Sequence, residues 1–68
     1  MHLGKSLKIA LVQRDITQSA FAETIGVSSP TITRWIKTGE VNIKHLSDIC
    51  DELGISASEF VRLGERND

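Results

Sequence analysis

The segment Thr17 to Gly39, TQSAFAETIGVSSPTITRWIKTG, carries its own start and stop signals, and these leave the chain few ways to fold. Thr17 can cap a helix, because its side-chain oxygen accepts a backbone N–H that the first turn leaves unpaired. Phe21, Ala22 and Ile25 then fall on one face at helical spacing. Gly26 ends that helix, since a residue without Cβ enters the left-handed region at no steric cost. Val27 plugs the turn, Ser28 caps a second helix, and Pro30 sits in its first turn, where a missing N–H breaks no helical bond. Ile32, Trp35 and Ile36 form the apolar face of this second helix. Opposite them stand Ser29, Pro30, Thr33, Arg34 and Lys37, which are hydroxyls, one proline and two cations. That surface suits contact with base edges and phosphates.

The flanking sequence predicts three more helices. Leu3, Leu7, Ala10 and Leu11 make an apolar stripe over about Leu3 to Arg14, with Lys5, Lys8 and Gln13 polar. Asp15 ends this helix, and Ile16 is expected to pack under the next one. Thr38-Gly39-Glu40 stops the third helix, and Val41 to Lys44 reads as a loop. Leu46, Ile49, Cys50 and Leu53 then point inward, with Asp48, Asp51 and Glu52 outward, until Gly54 closes the fourth helix. Ser56 followed by Glu59 is a capping-box pattern for a last helix carrying Phe60, Val61 and Leu63. Gly64 to Asp68 reads as a frayed end, with a disordered tail over about residues 65–68. The expectation is an all-α fold, five short helices around one core, with residues 1–68 a single domain and no β-strand.

These motifs resemble the DNA-binding domain of the phage repressor and Cro family, also called lambda-repressor-like or Xre. The likeness rests on Thr17-Gln18, Ala22, Gly26, Val27, Ile32 and Gly39, and on Leu46-x-x-Ile49-Cys50-x-x-Leu53-Gly54-Ile55-Ser56 followed by Phe60. It covers roughly Leu3 to Leu63. What the resemblance implies is a compact five-helix domain whose helix-turn-helix, at about residues 17–38, reads double-stranded DNA. The implied function is sequence-specific transcriptional regulation, as in a Cro-like or prophage repressor.

The same resemblance assigns roles residue by residue. Ser29, Pro30, Thr33 and Arg34 match the base-reading positions. Arg34 can donate two bonds to guanine O6 and N7, with a phosphate contact as its alternative. Gln18, Thr31, Lys37, Thr38, Asn42 and Lys44 match positions near the DNA backbone. Gln18 opens a helix whose free N–H groups favour a phosphate, and the family's glutamine also braces the first reading residue of the next helix. Glu59, Phe60, Arg62 and Leu63 are implied as a homodimer contact, and the partner as a palindromic duplex operator. One departure stands out. Many relatives pair a helix 1 arginine with a helix 3 glutamate, but the matching positions here are Leu11 and Ile36. Both charges are missing together, so neither is left unpaired, and an apolar pair in place of a buried ion pair is often neutral or stabilising.

Composition bounds the alternatives. At 68 residues the chain is near the lower limit for folding without a metal or disulfide. One cysteine forms no internal disulfide, and with two histidines it is too few for a closed zinc site, so neither cofactor nor metal is expected. No apolar run approaches membrane-spanning length and no signal peptide is visible, which makes cytoplasm the expected location. No small-molecule ligand is expected. The net charge of −1 is unevenly spread. Residues 1–44 hold six cations and three acids, and residues 45–68 hold two cations and six acids. The basic part contains the reading helices. No nucleophile triad, carboxylate pair or phosphate loop suggests an enzyme. A protein-interaction module on the same fold, such as an antitoxin or anti-repressor, remains the rival, and the N-terminal fragment of a longer repressor would look the same. Trp35 is expected in the core rather than as a base-stacking platform, Cys50 as a small buried hydrophobe, and His2 and His45 on the surface.

Overall fold

The computed structural model describes residues 3–66, with the side chain of Arg66 excepted. Five helices follow one another: α1 (Leu3–Gln13), α2 (Gln18–Ile25), α3 (Ser29–Thr38), α4 (Ile43–Leu53) and α5 (Ala57–Arg66). Among the described residues there is no strand, as expected. The caps are those the sequence announces. Thr17 Oγ1 accepts from Ala20 N–H at 3.1 Å, Ser28 Oγ from Thr31 N–H at 3.3 Å, and Ser56 Oγ from Glu59 N–H at 3.1 Å. Gly26 and Gly54 both take left-handed conformations. Asp15 does the same at φ 55°, and Asp15 N–H and Ile16 N–H bond back to Val12 and Leu11 carbonyls at 3.1 and 3.0 Å. This closes α1 without glycine.

The core is aliphatic with three large rings or ring systems, Phe21, Trp35 and Phe60, among Leu3, Leu7, Leu11, Ile32, Ile49, Leu53 and Leu63. Ile16, Val27 and Ile55, each just after a helix end, are partly buried against it. Trp35 is 4% exposed and therefore a core residue, as its spacing from Ile32 predicts. Cys50 is buried too. Desolvation, and secondarily the charge of Asp51, push its thiol pKa up from 9.0. That keeps it a protonated, inert hydrophobe.

Four contacts tie α1 to α3, α4 and α5 and were not evident in the sequence. Ser6 is 1% exposed on α1. Its Oγ accepts from Gly64 N–H at 3.0 Å and lies 3.4 Å from the Val61 carbonyl, to which it donates. Gly4, also buried, lies so close to α3 that an added Cβ would overlap the carbonyl oxygens of Trp35 and Ile36. Leu3 N–H reaches the Gly39 carbonyl at 3.3 Å, so the start of α1 is tied to the end of α3. Arg14 joins α1 to the end of α4, donating to the Leu53 carbonyl at 3.3 Å.

Several expectations need correction. The last helix does not fray at Gly64. It continues to Arg66, with Gly64 buried, because Ser6 supplies a partner inside the fold. Asn67 and Asp68, the rest of the expected disordered tail, lie outside the described residues, as does His2. Phe60 (0% exposed) and Leu63 (9%) belong to the domain's own core, and so neither offers a surface for a dimer contact. Glu59 and Arg62 are exposed. Among the described residues, Val12 and Ile43 are the large apolar side chains that do lie outside, at 72% and 85% exposure. The loop before α4 is shorter than expected, since Asn42 caps a helix that already includes Ile43 and Lys44. His45 is half-buried, not a surface residue. Its ring lies against Trp35 with centroids 5.0 Å apart, and its Nδ1 is buried without a partner.

Candidate nucleic-acid interface

Three short helices and a loop bring the candidate residues together on one side. Capping decides the entry angle of α3. Ser28 Oγ lies 2.8 Å from Thr31 Oγ1, so Thr31, half-buried, spends its hydroxyl on the helix start. The hydroxyl expected near the DNA backbone therefore already has a partner within the fold. Pro30 stands exposed beside it with fixed φ.

Two side-chain bonds lock α2 to α3 at the exposed surface. Thr33 Oγ1 donates to Gln18 Oε1 at 3.0 Å, and Ser29 Oγ donates to Ser19 Oγ at 3.1 Å. The resemblance implies that Gln18 braces the first reading residue. Here the brace goes instead to Thr33, one turn further on, and Ser29 is held by Ser19. Ser19 was not singled out from the sequence. The only signal was its place next to Gln18 in the first turn of α2. With its carbonyl oxygen engaged, Gln18 still has its amide N–H groups to offer a phosphate.

The C-terminal end of the interface is built from backbone geometry. Thr38 Oγ1 donates to the Arg34 carbonyl at 2.9 Å and accepts from Glu40 N–H at 3.2 Å. Asn42 Oδ1 accepts from His45 N–H at 3.0 Å, which leaves the Asn42 amide donors outward. Arg34, Thr38, Glu40 and Asn42 rim a shallow polar hollow beyond α3. Arg34, Lys37 and Lys44 are all exposed, and among the described residues the Arg34 and Lys37 side chains have no hydrogen-bond or ion-pair partner. Unpaired cations cost nothing in water and are ready for an anionic ligand.

Leu11 and Ile36 line one hollow with Lys8, Val12, Ile16, Thr17 and Gln18, directly beside the start of α2. The apolar replacement thus sits where α1, α2 and α3 converge, next to Gln18. Asp48, Asp51 and Glu52 line a hollow with Thr24 and Ile25 between α2 and α4. Among the described residues no group of three or more His, Cys, Asp or Glu is placed to hold a metal, and no helix is long and apolar enough to cross a membrane.

Two capped helices, a left-handed glycine between them and an exposed polar face on the second define a helix-turn-helix DNA-binding fold. The chain belongs to the Cro/C1-type helix-turn-helix DNA-binding domains, whose family model matches residues 6–64. It is similar to the uncharacterized proteins Mb2337 of Mycobacterium bovis and Rv2310 of Mycobacterium tuberculosis, at 35% identity over 48 residues in each case. That match takes in 71% of this chain but only 42% of the length of either relative. No solved structure matches it.

Proposed function

We propose that this domain is a sequence-specific reader of duplex DNA that regulates transcription, with α3 in the major groove and α2 across the backbone. The observation that carries the proposal is the exposed face of α3, which holds Pro30, Thr33, Arg34 and Lys37 and is locked to α2 by the Gln18–Thr33 and Ser19–Ser29 bonds. A surface that reads bases must be pre-set, because each misaligned donor forfeits its bond. In this reading Arg34 contacts guanine, Pro30 packs on a thymine methyl, and Ser29 and Thr33 read with what hydrogen-bonding capacity their locks leave. Gln18, Thr38, Asn42 and Lys44 meet phosphates.

A face this small spans about half a typical operator, so a symmetric homodimer on a palindromic site completes the proposal. Glu59 and Arg62 keep the exposed side of α5 available to such a contact. The Cro-like or prophage repressor role, the cytoplasmic location and the absence of catalysis are parts of the same proposal. The second reading, a protein-interaction module, is favoured by one observation, the acidic hollow of Asp48, Asp51 and Glu52. Selection of bound duplexes from a random pool separates them. A recovered palindrome supports the reader. A pool that stays random, with no salt-dependent retention of DNA, supports the interaction module.

A further inference from the structure

Resting on the DNA-reading proposal above, we infer that Lys37 is a base-reading residue at the C-terminal end of α3, setting a guanine preference about two to three base pairs from the pair under Pro30. The resemblance places it near the backbone. The exposure of α3 points elsewhere. Ile32 and Trp35 are buried and Ile36 is half-buried, while Pro30, Thr33, Arg34, Lys37 and Thr38 are exposed and Ser29 and Thr31 are half-buried. At about 100° per residue, Lys37 stands roughly 20° from Pro30 and 40° from Thr33 around the helix. The half-buried Ser29 and Thr31 bound the arc on either side. Lys37 therefore occupies the middle of the exposed arc, and a helix lying in a groove points that middle at the groove floor. Thr38, about 100° from Lys37 around the helix, faces the sugar–phosphate wall.

Side-chain chemistry supports the same assignment. The Ser29 and Thr33 hydroxyls are donated to Ser19 and Gln18. Pro30 has no donor. Long donors without an internal partner on this face are Arg34 and Lys37, one turn apart. The small side chains at Ser29, Pro30 and Thr33 let the helix backbone approach the bases closely, and a lysine stem then spans what remains to a guanine O6 or N7. Lys37 lies seven residues beyond Pro30, a rise of about 10.5 Å along the axis. The groove winds round the DNA axis, so its path per base pair exceeds the axial rise of about 3.4 Å and this length corresponds to about two to three base-pair steps.

The test compares duplex motifs selected from a random pool by the wild-type chain, Lys37→Met and Lys37→Arg, followed by titration of duplexes carrying each base at the affected pair. Lys37→Met keeps the stem and removes the donor. It is expected to lose the guanine preference at one pair per half-site, about tenfold in relative affinity, with the rest of the motif intact. Lys37→Arg is expected to keep that preference, because a guanidinium reaches the same acceptors. A uniform loss for all sequences with a flatter salt slope makes Lys37 a phosphate contact and overturns the assignment, as does an unchanged motif. If the wild-type chain itself selects no motif, the DNA-reading proposal fails, and this inference with it.

Discussion

Gly4→Ala sets two effects against each other, and the structure decides which wins. In an exposed helix the change is favourable, because alanine exceeds glycine in helix propensity by up to about 1 kcal/mol. Gly4 is the second residue of α1, where the helix end recovers less than this. Against that gain stands the space a methyl needs. An added Cβ would overlap the Trp35 and Ile36 carbonyl oxygens and the Ile36 Cα, all backbone atoms that no rotamer change can move aside. Overpacking typically costs about 1–3 kcal/mol, and a collision with backbone belongs at the upper end. The expected net loss is about 2 kcal/mol. A domain of 68 residues has roughly 3–10 kcal/mol in all, so the variant should melt about 10 °C lower. Urea denaturation followed by the fluorescence of Trp35, which is in the affected contact, measures it directly. A variant as stable as the wild type or more so would show that α1 and α3 do not approach as closely as described, and the helix-propensity term would then be the whole effect.

Other perturbations test the remaining contacts. Ile36→Glu should place a carboxylate at a half-buried position beside Leu11 and cost about 1–3 kcal/mol, and adding Leu11→Arg should restore much of the loss; a double variant no more stable than Ile36→Glu alone would show that the register of α1 on α3 is different. Asp15→Gly should stabilise by about 1 kcal/mol in thermal melts, since Asp15 sits at φ 55° where glycine has no Cβ penalty, and a destabilised variant would mean the aspartate side chain contributes more than its backbone strain costs. Lys44→Ala should weaken binding to all duplexes alike and flatten the slope of log affinity against log salt by about one unit, and an unchanged slope removes Lys44 from the interface.

What was legible in the sequence is what local chemistry decides. A hydroxyl at Thr17, Ser28 or Ser56 caps the helix that follows, because the donors it satisfies are two or three residues away. Gly26 and Gly54 stop helices for an equally local reason. Gly64 shows the limit of that rule. The local sequence predicts a frayed end from Gly64, yet this residue lies buried inside α5 and Ser6 bonds its N–H. Nothing within a few residues of Gly64 distinguishes the two cases; the difference lies 58 residues away. Phe60 and Leu63 fail in the same way. Their helical spacing identifies an apolar stripe, but only packing tells whether that stripe faces the domain's own core or a second subunit. In the candidate interface the face of α3 was legible from period and residue type. The partners of its hydroxyls, Ser19 for Ser29 and Gln18 for Thr33, depend on how α2 crosses α3 and were not.

The central claim is that the side built from α2, α3 and the start of α4 meets DNA. Amide chemical shifts of the isotopically labelled chain, followed as a mixed-sequence duplex is added at low salt, test it most directly. If this side meets DNA, shifts concentrate at Gln18, Ser29 to Thr38 and Asn42 to Lys44, and they retreat as salt is raised. Shifts centred on Asp48, Asp51 and Glu52 or on the outer face of α5, or none anywhere at duplex concentrations that saturate other helix-turn-helix domains, would contradict it.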